Sequence, residues 1–122
     1  MLNKKVLLIV KLSVIGGLLC SPVFAEGDSD GISELEQGKA LAFSRTKGNC
    51  LACHYVEGGE LTGNYGPPLI AMKIRYPDRE VLREQIWDAS VKNPDTRMPP
   101  FGRNRILTEE EIDLVTDYIQ SL

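Results

Sequence analysis

Histidine is almost missing from this 122-residue chain: His54 is the single one. Cysteine is nearly as scarce, with three, of which Cys20 falls in an apolar N-terminal stretch. A structural zinc site takes four Cys or His ligands as a rule. Beyond residue 25 the chain offers Cys50, Cys53 and His54 alone, which excludes one. A thioredoxin-like dithiol sits near a βαβ pattern, and no strand-rich stretch lies beside these cysteines. There are no internal repeats and no low-complexity tracts. Basic charge is also in short supply. All 17 acidic residues follow residue 25, whereas three of the 14 basic ones precede it, so the remainder carries 11 minus 17, or −6. That balance argues against nucleic acid as a partner.

A membrane-spanning helix needs about 20 apolar residues, and the apolar run from Val6 to Leu19 is shorter and interrupted by Lys11 and Ser13. With Lys4 and Lys5 before it and Val23-Phe24-Ala25 after it, the run reads as a cleaved export signal over residues 1–25. Leu19 is bulky where a lipoprotein signal has a small residue, so Cys20 is not read as a lipidation site. Cleavage leaves 122 minus 25, or 97 residues, enough for one small domain over 26–122.

What is present is concentrated in Cys50-Leu51-Ala52-Cys53-His54. A Cys-x-x-Cys-His run is the attachment site of a c-type haem. Two thiols on one turn can each form a thioether to a haem vinyl group, and the imidazole that follows can bind the iron from beneath the ring. Cys50 and Cys53 are therefore assigned to covalent attachment of one haem c, and His54 to proximal ligation. With both cysteines so engaged, no structural disulfide is available. Covalent haem gives a domain this small an apolar centre to wrap, and export with haem attachment points to a bacterial periplasm.

Around this motif the chain reads as helical. Glu26–Gly31 is a polar lead-in. Ser33 and Glu36 form a capping box opening a helix to about Arg45, with Leu35, Leu41 and Phe43 among its apolar residues. Gly38 within it costs about 1 kcal/mol relative to alanine, a cost explained by close approach of another helix or tolerated at a surface. Tyr55–Tyr65 is a glycine-rich loop, and Gly66-Pro67-Pro68-Leu69 is a rigid turn. A proline carbonyl from that turn is a candidate to orient the second nitrogen of His54, as is common for metal-bound imidazoles; the alternative is an ordinary rigid turn. Asp78 caps a helix whose Leu82, Ile86 and Ala89 give one apolar face to about Val91, where Asn93-Pro94 stops it. Trp87 is assigned to core packing. Met98 stands before Pro99 and Pro100 on a stiffened loop, where its thioether is the candidate second axial ligand; Met72, the other methionine after residue 25, has no such frame. Thr108 and Glu111 form a second capping box, Leu107 and Ile112 a hydrophobic staple, and Ile112, Val115, Ile119 and Leu122 one helical face.

A helix with a glycine, Cys-x-x-Cys-His, Gly-Pro-x-Leu, a methionine loop and a C-terminal helix together resemble class I cytochromes c, over essentially all of residues 26–122. The resemblance implies an all-α fold around one haem, a crossing of the first and last helices at Gly38, and Pro67 as the residue whose carbonyl bonds His54. A few extra residues between Gly38 and Cys50 depart from the compact members and imply a longer loop leading to the motif. A narrower resemblance is carried by Gly48-Asn49-Cys50, Asn64-Tyr65-Gly66-Pro67, the run Asn93-Pro94-Asp95-Thr96-Arg97-Met98-Pro99-Pro100-Phe101-Gly102-Arg103, Ile106-Leu107-Thr108 and Glu111-Ile112. These look like SoxX, the small monohaem subunit of SoxAX complexes in bacterial thiosulfate oxidation. That resemblance implies a larger SoxA-like partner carrying the catalytic haem. It also implies a role accepting the electrons released when thiosulfate is joined to a carrier-protein cysteine, in an L-cysteine S-thiosulfotransferase whose catalysis lies in the partner, and a downstream electron acceptor. The competing expectation is a free-standing periplasmic carrier to an oxidase or reductase. A haem enzyme or gas sensor would need an open iron position, and for a peroxidase no second histidine remains as distal acid or base. Lys92, Arg97, Arg103 and Arg105 surround Met98 in sequence; by themselves they read as solvated charges, and the resemblance to SoxX implies that they frame the partner interface.

Overall fold

A computed structural model describes residues 32–122, and among them the chain is helical, without strands. The export segment read at residues 1–25 and the lead-in to Gly31 lie outside the described residues. Four α-helices follow in order: α1 (Glu34–Phe43), α2 (Met72–Arg75), α3 (Arg79–Trp87) and α4 (Glu109–Gln120). Two 3-10 turns, Cys50–Ala52 and Ala89–Val91, punctuate the loops.

The first helix opens as its sequence dictates. The Glu36 N–H donates to Ser33 Oγ and the Ser33 N–H to Glu36 Oε2, each at 3.3 Å, so both orphan donors are satisfied. It closes at Phe43 rather than near Arg45, because Ser44 turns extended, and the Gly48 and Asn49 N–H groups fold back onto the Leu41 and Ser44 carbonyls at 3.1 and 2.9 Å. Leu35 is exposed and not part of the core. The face that meets α4 is built from Gly38 and Ala42, both buried, with the Phe43 ring edge-on to Tyr118 at 6.0 Å between centroids.

Gly38 sits at the crossing of α1 and α4, the principal helix–helix contact of the fold. A methyl group there would lie 2.8 Å from the Leu114 carbonyl carbon and 2.9 Å from Tyr118 Cβ. Close backbone approach is therefore what the glycine provides, and the surface alternative is excluded.

The Asp78 carboxylate caps α3 by accepting from the Glu80 N–H at 2.9 Å. Apolar periodicity carries this helix on to Val91, yet the α-helix ends at Trp87. Asp88 is extended and its carboxylate accepts from the Ser90 N–H and hydroxyl, restarting the chain as a 3-10 turn that still buries Ala89. A local cap thus overrides the periodic pattern. Arg79 and Arg83 bridge from α3 to Asp113, Asp117 and Glu109 of α4; Arg83 lies 2.8 Å from Asp113 and 2.6 Å from Glu109. Half-exposed pairs of this kind each contribute little, because solvent screens them, but together they fix how α3 lies on α4.

The last helix carries both features expected of it. Thr108 and Glu111 cap reciprocally at 3.2 and 3.0 Å, and Leu107 and Ile112 are both buried. Ile112, Val115 and Ile119 form the buried stripe. The Leu122 carbonyl accepts from the Met72 N–H at 2.7 Å, tying α2 to the end of α4.

Candidate functional site

The cysteine motif is wound into a single turn. Both Cys53 and His54 donate their N–H groups to the Cys50 carbonyl, at 3.2 and 2.9 Å. The glycine-rich loop that follows is laced back onto it: Gly63 donates to the Leu51 carbonyl at 2.7 Å, Gly66 to Cys53 at 2.8 Å and Leu69 to Tyr55 at 2.9 Å. The imidazole of His54 lies against Gly66, where a Cβ would stand 2.6 Å from Nδ1 and 2.9 Å from Nε2. No larger residue leaves room for the ring.

The Pro67 carbonyl meets His54 Nδ1 at 2.7 Å. A carbonyl accepts and cannot donate, so the ring proton resides on Nδ1 and Nε2 keeps its lone pair. Proline suits the position because its fixed φ holds that carbonyl steady.

Cys50, Cys53, His54, Pro67 and Met98 all border one cavity of about 550 Å³. Leu82, Ile86, Phe101, Leu107, Val115 and Ile119 form most of its apolar wall, drawn from α3, α4 and the loop between them. Met98 is half-buried, with its N–H bonded to Thr96 Oγ1 at 3.2 Å. Met72 also borders the cavity, but it is 2 % exposed within α2 and its sulfur accepts from Arg75 at 3.4 Å. Burial pushes the Cys50 thiol up to about 11. Among the described residues no group of three or more His, Cys, Asp or Glu side chains is placed to hold a bare metal ion. Two thiols on one edge, a bare imidazole nitrogen, a thioether and a largely apolar wall with polar residues such as Arg75 and Arg97 at its border fit a large flat macrocycle joined at two points.

The family model for cytochrome c matches residues 35–122. The chain belongs to the cytochrome c family. No curated protein matches it. As a c-type cytochrome it is an electron-transfer protein with covalent haem c, and its helices are those of the class I fold. The spacing of Cys50 and Cys53 fits haem attachment, and the cytochrome acts with redox partners. Among the described residues no helix is long and apolar enough to cross a membrane.

The longer loop leading to the motif is a turn over residues 44–48, closed by Lys47 N–H on the Ser44 carbonyl at 3.2 Å. Two features of the site escaped the sequence. One is Gly66, whose missing side chain is the space His54 occupies; a glycine before the proline pair was its signal. The other is Arg75, which borders the cavity and donates to the Pro68 carbonyl at 2.7 Å, fastening the turn that positions His54. The basic residues around Met98 also differ from their grouping in sequence. Arg103 forms an ion pair with the buried Asp88 at 2.7 Å, and Lys92 donates to the Val81 carbonyl at 3.3 Å. Arg97 and Arg105 remain exposed, with no ion pair among the described residues.

Proposed function

We propose that this cytochrome is the electron-accepting small subunit of a SoxAX-type complex, working in the periplasm as residues 26–122 after removal of 1–25. Its larger partner joins thiosulfate to a carrier-protein cysteine, and this chain takes up the electrons and passes them to a downstream acceptor. Cys50 and Cys53 hold the haem through thioethers. His54 Nε2 and Met98 Sδ would supply the protein's two ligands to its iron, with Pro67 orienting the imidazole. Haem so held supplies a one-electron centre, and Met/His ligation raises its potential. The chain's contribution is to fix those two donors and to keep water off the ring with an apolar wall, which also tunes the potential.

The observation that carries this reading is the meeting of the Asn93–Arg103 run, where the resemblance to SoxX is densest, with the Cys50–His54 turn at one cavity. Met98 lies in the middle of that run. The exposed Arg97 and Arg105 flank it and are suited to setting encounter rate and register with an acidic partner surface.

Two arms test the reading. Met98→Ala abolishes the weak near-infrared band of ferric, methionine-ligated haem and lowers the potential. Met72→Ala, which empties a buried position at a cost of about 2–5 kcal/mol, keeps the band. In the second arm the haem is reduced by thiosulfate only with a SoxA-like partner and carrier present, and Arg97→Glu with Arg105→Glu slows association. A parent protein that is never reduced under those conditions refutes the sulfur-oxidation role and leaves the cytochrome assignment intact.

A further inference from the structure

The loop that carries Met98 leaves α3 at Asp88 and ends near Gly102, and its two ends are fastened together. The Gly102 N–H donates to the Trp87 carbonyl at 3.0 Å. The Trp87 ring fills the space beside Gly102, where a Cβ would come within 2.5 Å of Trp87 Cγ. Next to this backbone bond, Arg103 reaches the Asp88 carboxylate at 2.7 Å and Ser90 Oγ at 3.3 Å. The Asp88 side chain is only 3 % exposed, so the carboxylate is held inside while the arginine stem stays half in solvent.

Between these ends the loop's internal ties are local, among them the Asn93 N–H to the Ala89 carbonyl at 3.1 Å and the Asp95 N–H to Asn93 Oδ1 at 3.2 Å. Thr96 donates to the Asn93 carbonyl at 3.0 Å, and Met98 to the Thr96 hydroxyl at 3.2 Å. Pro99 and Pro100 stiffen the segment after Met98 but contribute no backbone donor to anchor it. Restraint on where Met98 stands therefore comes in part from the neck, beside its own packing against the core. The hydrogen bonds from Ser90, with Arg103 nearby, hold the Asp88 carboxyl below its ordinary range, so the pair is charged at neutral pH.

We propose that Asp88 and Arg103 form a clasp across the neck of this loop that positions Met98 and holds its thioether toward the iron side of the cavity. The inference rests on the reading of Met98 as the second axial ligand. Asp88 and Arg103 act through the loop and are positioning residues. A charge-assisted hydrogen bond is among the stronger single contacts a protein makes. Its loss shifts the balance between a seated and a released Met98, and an external ligand that needs the released state then binds with apparent affinity scaled by that state's population.

The test is imidazole binding to the ferric holoprotein, with the near-infrared methionine band followed in the same titration. Arg103→Ala and the milder Arg103→Gln raise the apparent imidazole affinity on the order of tenfold, by loss of one charged hydrogen bond, and Arg103→Lys returns it toward the parent. Met98→Ala sets the upper limit. Lys47→Ala removes an ion pair of 2.6 Å to Glu111 at a distance in sequence from the loop, and it lowers thermal stability without moving the imidazole affinity. If both Arg103 variants bind imidazole as the parent does while Met98→Ala binds it more tightly, the clasp is overturned and methionine ligation stands. If Met98→Ala binds no more tightly than the parent, both readings fall together. An equal rise in Lys47→Ala also overturns the clasp, since general loosening would then explain the effect.

Discussion

Gly38→Ala sets two effects of opposite sign against each other. Replacing a helical glycine by alanine stabilises a helix by about 1 kcal/mol, through the smaller backbone entropy lost on folding. At this position the added methyl lands 2.8 Å from the Leu114 carbonyl carbon and 2.9 Å from Tyr118 Cβ. The first neighbour is helix backbone and cannot swing aside, so α1 and α4 must separate. Overpacking in a well-packed interior costs about 1–3 kcal/mol, and a backbone clash belongs at the upper end. The net expectation is a loss of about 2 kcal/mol, or roughly 10 °C in Tm for a domain of this size. The assay is guanidinium unfolding of the ferric holoprotein followed by far-UV circular dichroism, with Ala40→Gly as a companion on the exposed face of the same helix. Ala40→Gly loses about 1 kcal/mol by propensity alone. If Gly38→Ala were as stable as the parent or more so, helix propensity would govern both sites and the close crossing would play no part in stability.

Two further outcomes follow from the site and the charged surface. The Cys50→Ser, Cys53→Ser double variant leaves no thioether, so acid–acetone extracts any bound haem and the apoprotein is largely unfolded by circular dichroism, because binding and folding free energy are coupled; unchanged haem retention contradicts covalent attachment through this motif. Hydrogen bonds from Arg83 hold the carboxyls of Asp113 and Glu109 below their ordinary values. Their contribution to stability is therefore present above the unfolded-state values and lost as pH falls through the lower folded-state ones. Asp113→Asn flattens that acid limb of a stability–pH profile measured at low salt, and a profile identical to the parent's shows that the α3–α4 ion pairs do not contribute.

Signals confined to one or two helical turns were legible in the sequence. Ser33 with Glu36 and Thr108 with Glu111 need only three-residue spacing to cap a helix, and both boxes form. The cysteine run closes within one turn, so its spacing alone brings Cys50, Cys53 and His54 to one edge of the cavity. The buried face of α1 was less legible, because hydrophobicity marks what prefers burial, not which face meets a neighbour. The α1 face that meets α4 is chosen by what permits close approach, Gly38 and Ala42, and it leaves Leu35 in solvent. The expected helical run to about Val91 failed for a different reason, at Asp88. Its neighbours keep an apolar period through Ala89, which is buried as the period requires, while the carboxylate ends the α-helix by satisfying Ser90 instead. Burial pattern and backbone state are separate properties, and here they part at one residue.

The arginines around Met98 carry the same lesson into function. Lys92, Arg97, Arg103 and Arg105 stand close in sequence, and that grouping alone makes them look like one basic patch. A charge contributes to a docking field only where it is not neutralised by a near partner, and Arg103 is neutralised by Asp88 at 2.7 Å. Replacing Arg103 by glutamate would set two carboxylates against each other at the loop neck. Any loss of electron uptake would then report a displaced loop as readily as a damaged interface. Arg105 lacks that confusion, because it has no ion-pair partner among the described residues and does not border the cavity, as Arg97 does. Arg105 also holds a left-handed backbone, with φ at 54°, just after the neck closes. Its side-chain charge can be reversed without breaking the Arg105 N–H bond to the Gly102 carbonyl at 2.9 Å. The cations of this loop therefore differ in their surroundings. Arg103 is paired with Asp88, whereas Lys92, Arg97 and Arg105 have no ion-pair partner among the described residues and are the charges that the proposed docking role would use.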